Sequence, residues 1–118
     1  MGHKLPLEAF EFYGPPNVSD VWSVKKLHHA DMSHLTEKPV ELAARAIAYS
    51  SREGENVLDL FGGSGSTMAA CEQTNRTAYL MELDPLYCDV IIERIQKLAS
   101  KPAILEATGE TFAERRAP

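Results

Sequence analysis

Three observations predict an α/β fold, a partial parallel sheet with flanking helices. Val57-Leu58-Asp59-Leu60-Phe61 is a continuous apolar run with one carboxylate inside it, the pattern of a strand buried on both faces of a parallel sheet. Strand-like runs then alternate with helical periodicities through residues 57–106, which gives a βαβ series with right-handed crossovers. Between the first strand and the first crossover helix stands Gly62-Gly63-Ser64-Gly65-Ser66-Thr67, a glycine turn at the strand's carboxyl end. A length of 118 residues suffices for one small domain with its own core, and 44% hydrophobic with 25% charged residues is ordinary for a globular chain.

The elements follow in order. Residues 1–17 read as irregular, with a short strand at Phe10, Phe12 and Tyr13 and a turn at Gly14-Pro15-Pro16-Asn17. Residues 18–24 partly alternate apolar and polar, so a short strand with Val21 or Trp22 turned to the core is expected. Residues 25–35 form a polar loop. Thr36-Glu37-Lys38-Pro39 opens a helix, with Pro39 suited to the first helical position and Glu41 adding negative charge to the first turn. Its alanine-rich face, through Ala43, Ala44 and Ala46 to about Ser51, suits close packing on a sheet. Gly54 ends the link to the strand at 57–61. The helix after the glycine turn runs to about Gln73, with Asn75 as its stop. A second strand covers 77–82. Asp84 and Pro85 then read as N-cap and first helical residue, and Cys88, Ile91, Ile92, Ile95 and Leu98 make the apolar stripe of a core-facing helix. Residues 102–106 read as a short third strand, and the polar tail carries a helical turn at 111–115. This divides the chain into an N-terminal segment, 1–35, an α/β unit, 36–106, and a tail, 107–118.

Composition narrows the function classes. A net charge of −5 is not the footprint of a domain that grips nucleic acid by itself. The basic group Lys25-Lys26-Leu27-His28-His29 reads as a solvated loop. His28, His29 and His34 lack Cys or acidic partners at ligand spacing, so they are expected to be loop histidines and no metal site is expected. Cys71 and Cys88 form no C-x-x-C pair and fall in helices, which suits reduced core residues of a cytoplasmic protein. No apolar run reaches membrane-spanning length and no signal peptide is visible, so no membrane partner is expected.

The glycine turn is a ligand cradle. Glycines let a backbone approach a ligand closely, and the helix end behind them offers N–H groups to an anion. A P-loop would need Lys where Ser66 stands, and in a dinucleotide fingerprint Met68 replaces the third glycine. Asp59 would also repel a pyrophosphate at the strand's end. A ligand with an ammonium group for Asp59 and a carboxylate for the helix end fits better, and S-adenosylmethionine has both. Ligands in such sheets lie outside the carboxyl ends of the strands, so Asp59, Gly62, Gly63 and Glu82 converge on one crevice. Glu82 ends the second strand nineteen residues after Gly63, near the spacing of about 20 expected of a ribose-binding acid. The alternative reading of this stretch is a plain strand-turn-helix with Asp59 as a local cap.

Three segments together resemble a known family. His34-Leu35-Thr36-Glu37-Lys38-Pro39-Val40-Glu41-Leu42, then residues 57–67, then Glu82-Leu83-Asp84-Pro85-Leu86-Tyr87 are similar to motifs of the amino-DNA methyltransferases of the β group. These enzymes modify adenine N6 or cytosine N4 with S-adenosylmethionine and are common in phages and restriction-modification systems. The resemblance covers roughly residues 21–106 and implies a Rossmann-like S-adenosylmethionine-dependent methyltransferase fold. It implies that Thr36 and Lys38 hold the methionine carboxylate end. Asp59, Phe61, Gly62, Gly63, Ser64, Gly65 and Thr67 would line the methionine and adenosine, Glu82 would take the ribose hydroxyls, and Asp84 would lie near the adenine. Leu35 stands where the family usually has Pro.

The family's catalytic motif, an Asp, Asn or Ser followed by Pro-Pro and an aromatic residue, is absent. That motif accepts protons from a delocalised exocyclic amine and stacks on the flipped base. Gly14-Pro15-Pro16-Asn17 lacks both acceptor and aromatic, and Asp84-Pro85-Leu86-Tyr87 lacks the second Pro. No catalytic residue is therefore expected. The chain resembles the C-terminal, cofactor-binding part of such an enzyme, inactive alone, with DNA contacted through parts outside it. Alternatives are a natural cofactor-binding remnant, a subunit complementing a separate catalytic chain, a nicotinamide-dinucleotide module, or an interaction domain that kept the fold alone. With the catalytic strand missing beside residues 57–61, that strand's edge is expected to be covered by residues 18–24 or by a second copy of the chain.

Overall fold

Residues 11–26, 28, 39–116 and 118 are described by the computed structural model of this chain. The expectations for Phe10, His29, His34, Thr36 and Lys38 lie outside the described residues. Two strands form the centre. β1 (Asn56–Asp59) and β2 (Thr77–Leu80) pair in parallel, with Asn56 opposite Thr77 and Asp59 opposite Leu80. The crossover between them is α2 (Ser66–Thr74), which stops where Asn75 turns left-handed at φ 59° and donates its N–H to Cys71 O. Asn tolerates that conformation better than most residues, so the stop read from the sequence holds for the expected reason.

The core lies on one side of this pair. Ile47 of α1 (Val40–Ser50) meets Ala70 and Cys71 of α2, with Val57 and Ala78 contributed by the strands' inner face. Small residues let α1 and α2 approach closely, and burying a side chain such as Ile47 stabilises by about 1.5–3 kcal/mol. Burial also pushes the Cys71 thiol up from its ordinary range. α3 (Pro85–Ala99) begins as its sequence announces, with Asp84 accepting from Leu86 N–H at 2.9 Å and Pro85 at the first position. Its stripe buries Ile91, while Leu98 at the far end is exposed. α4 (Phe112–Arg116) is held by a reciprocal cap. Thr111 N–H donates to Glu114 Oε2 at 2.8 Å, and Glu114 N–H donates to Thr111 Oγ1 at 3.1 Å.

Several expectations are corrected. β1 is buried on one face only: Val57 and Asp59 are half-buried, whereas Leu58 and the following Leu60 are exposed, because no described element packs on the outer side. Residues 102–106 form no third parallel strand. Gly109, at φ 77°, turns the chain back at once, so Ile104 makes a single antiparallel bridge to Thr111 and Leu105 N–H donates to Glu110 O at 2.8 Å. Short loop closure wins over a long crossover here. Residues 18–24 also form no strand. The Ser19 hydroxyl accepts Val21 N–H and the Ser19 carbonyl accepts Trp22 Nε1–H, a local alternative to ladder bonds. Val21 is exposed, and Trp22 is half-buried, edge-on to Tyr49 with the Arg45 guanidinium 5.5 Å from its ring centroid. Phe12 and Tyr13 likewise form no strand. Tyr13 N–H donates to Tyr49 O at 2.8 Å, so this segment docks on the end of α1 instead of the sheet. Pro39 stands at the N-cap with ψ 137°, one place before the helix.

Candidate ligand-binding crevice

The parallel register brings the carboxyl ends of β1 and β2 side by side, so the loops leaving them are neighbours. Backbone bonds extend the pairing past the strands: Met81 N–H donates to Asp59 O at 2.9 Å and Gly62 N–H to Met81 O at 2.7 Å. Glu82 then clamps both loops. Its Oε1 accepts Gly63 N–H and its Oε2 accepts Asp84 N–H, each at 2.8 Å. Bonds from N–H groups to a charged acceptor are among the stronger ones, so the carboxylate is fixed at the crevice's edge.

Asp59 is fixed too. Oδ1 accepts Phe61 N–H at 2.9 Å and Oδ2 accepts the Thr67 hydroxyl at 2.6 Å, which ties the end of β1 to the first turn of α2. Asp59 therefore has local partners, as the plain strand-turn-helix reading requires. It is also a half-buried carboxylate held in place beside the loop. α2 begins at Gly65 without a side-chain cap. Its first turn carries the positive end of the helix dipole.

The glycines divide the work. A Cβ on Gly62 would lie 2.9 Å from Ile91 Cδ1 and 3.2 Å from Met81 O, so this position is closed by protein. A Cβ on Gly65 would touch Ile91 Cγ1 at 3.4 Å. Gly63 is different: its φ is 56°, and a Cβ there would find nothing closer than Phe61 O at 3.9 Å. Of the three, Gly63 faces open space. Ser64 is buried, with its hydroxyl 3.3 Å from that of Ser66 and its carbonyl accepting Arg94 Nη1–H at 3.0 Å. Phe61, next to the glycine loop in sequence, is exposed.

The structure thus brings Asp59, Phe61, Gly62, Gly63, Ser64, Gly65, Thr67, Glu82 and Asp84 to one place. It turns Gly62 and Gly65 toward α3 and gives the Asp84 side chain to that helix's cap. Arg94 is the residue that sequence reading did not mark. Its place on the polar side of α3 carries no signal that it reaches a carbonyl thirty positions earlier.

This arrangement has counterparts. Residues 11–93 match the model of the family described as DNA methylase, N6_N4_Mtase. Type II methyltransferase M.HpaI of Haemophilus parainfluenzae is 35% identical over 82 residues, covering 67% of this chain and 26% of that protein. Type II methyltransferase M.BamHI of Bacillus amyloliquefaciens is 35% identical over 101 residues, covering 83% of this chain and 23% of that protein. The solved M1.HpyAVI–SAM complex superposes with a TM-score of 0.57 at 27% identity, covering 72% of this chain and 42% of that one. The chain spans about a quarter of the length of the curated relatives it matches.

Proposed function

We propose, from the premise that this chain belongs to the N6_N4_Mtase DNA methylase family, that its crevice binds S-adenosylmethionine as the cofactor portion of a DNA amino-methyltransferase. The observation that carries the reading is the Glu82 clamp: a carboxylate at the end of β2, fixed by Gly63 and Asp84 N–H groups, beside the open side of Gly63. A carboxylate has lone pairs for more than two donors and suits ribose hydroxyls. Asp59 supplies negative charge for the ligand's ammonium group. The N-terminal turn of α2 receives its carboxylate, assisted by Thr36 and Lys38. Phe61 and Asp84 flank the adenosine. The structural relative M1.HpyAVI was solved with SAM, which supports the choice of ligand.

The substrate is DNA, at adenine N6 or cytosine N4, and the setting is the cytoplasm. The proton-accepting and stacking residues come from a catalytic portion outside these 118 residues, whether continuous with this chain or a separate complementing chain. The isolated chain then transfers no methyl group. Calorimetric titration tests the cofactor assignment. Saturable binding of S-adenosylmethionine with none of NAD is expected; the reverse preference would move the chain to the dinucleotide-binding class.

A further inference from the structure

Arg94 has no part in the roles assigned so far, yet it reaches the glycine loop across thirty positions. Its Nη1–H donates to Ser64 O at 3.0 Å. Ile91, three positions earlier and so on the same side of α3, is the residue that a Cβ on Gly62 or Gly65 would meet. This side of α3 backs the loop, while Gly63 faces the open side. The loop is one that needs fixing. Gly62 O accepts Gly65 N–H at 2.9 Å, which closes a tight turn with Gly63 and Ser64 at its centre. Gly63 and Gly65 are both left-handed, at φ 56° and 86°. Glycine moves between conformations at little cost, so local preference does not hold the peptide unit that joins Ser64 to Gly65. Hydrogen bonds hold it instead, its N–H by Gly62 O and its carbonyl by Arg94. Ser64 is buried, and a buried carbonyl that loses its donor is costly.

We propose that Arg94 is a positioning residue for the cofactor: it holds the Ser64 carbonyl against α3 and so fixes the glycine loop in the form whose open side, at Gly63, receives S-adenosylmethionine. The inference rests on the cofactor reading above and deepens it. A loop already ordered spares the ligand that ordering cost on binding, and this is how Arg94 adds affinity. Its guanidinium is charged at every working pH, and it lies beside the loop that leads into α2, where it adds to the positive end of that helix's dipole.

The test compares Arg94→Met and Arg94→Lys with the wild-type full chain. Met keeps the apolar stem and the helix preference of the site and lacks the donors, whereas Lys keeps a charged donor. In the ligand-free wild type, the amides of Gly63, Ser64 and Gly65 are expected to give single sharp NMR signals. In Arg94→Met they should broaden or split, and sharpen again at saturating S-adenosylmethionine. Affinity for S-adenosylmethionine by calorimetry should fall about tenfold in Arg94→Met, as for a lost bond to a charged group, and be partly regained in Arg94→Lys. Lys97→Met, at an exposed position of the same helix, should change neither readout. Wild-type affinity in Arg94→Met overturns the inference, and a lower urea midpoint beside it would make Arg94 a structural fastening only. A loss of affinity with the three amides of the free chain unmoved overturns it as well, since Arg94 would then touch the ligand itself. Should Arg94→Met fail to fold, Arg94→Lys decides: weaker binding with broadened loop amides supports the inference, and wild-type values of both overturn it. If the wild-type chain binds no S-adenosylmethionine, the cofactor reading falls and this inference with it. Binding to the wild type that Arg94→Met leaves unchanged removes the positioning role alone.

Discussion

Gly62 and Gly63 are neighbours with opposite duties, and substitution separates them. The Cβ of Gly62→Ala would press on Ile91 and on the Met81 carbonyl. A loss of about 1–3 kcal/mol is expected, as for other overpacked sites, read as a lower urea midpoint. Gly63→Val meets no such wall. It carries the left-handed strain of about 1–2 kcal/mol and fills the space in front of the loop. Helical dichroism should survive while S-adenosylmethionine binding is lost; normal binding would make the loop only a turn. Glu82→Ala removes the acceptor that clamps both loops. With about 1.5–3 kcal/mol for a bond to a charged group, affinity should fall at least tenfold, and unchanged affinity would remove Glu82 from the ribose site. The cysteines give a chemical check on packing. Cys71 is buried with its thiol pushed up, and Cys88 is only half-buried, so a thiol reagent should label Cys88 first.

Among the elements, the helices report their own ends. Asp84→Ala should cost about 1 kcal/mol, the usual loss for a cap, through the bond from Leu86 N–H. α4 responds to pH. The Thr111 backbone N–H, then its side chain, hold the Glu114 carboxyl below the ordinary carboxylate range. The folded form therefore releases its proton more readily than the unfolded form. The support this gives α4 is complete above the ordinary range near 4.3 and is lost as pH falls through the lowered folded value. Amide exchange of residues 112–116 should quicken in acid, whereas Glu114→Gln should exchange at the faster rate at every pH, because that variant has already lost the charge.

At the scale of the molecule, the proposed cofactor crevice stands in a sequence without an Asp, Asn or Ser followed by Pro-Pro and an aromatic residue. Incubation with tritiated S-adenosylmethionine and mixed-sequence DNA is expected to leave the DNA unlabelled. Labelling above a boiled control would mean that this chain holds a catalytic group of its own. Among the described residues no helix is long and apolar enough to cross a membrane.

The sequence by itself determined the local elements of the crevice and their order. An apolar run, a glycine turn, an Asp-Pro helix start and an Asn stop each act through bonds within a few residues, so their chemistry is visible in a short window. The placing of Glu82 opposite the glycine loop was legible for the same reason, since a parallel register needs only a crossover of fixed length. Tertiary structure alone decided which glycine faces open space, because that depends on where Ile91 of α3 comes to rest. It alone decided that Trp22 packs on Tyr49 of α1 and that Gly109 folds the expected third strand back on itself. Among the described residues it also left Leu58 and Tyr79 exposed: their apolar pattern is that of a face to be buried, and only the packing of distant segments decides against what.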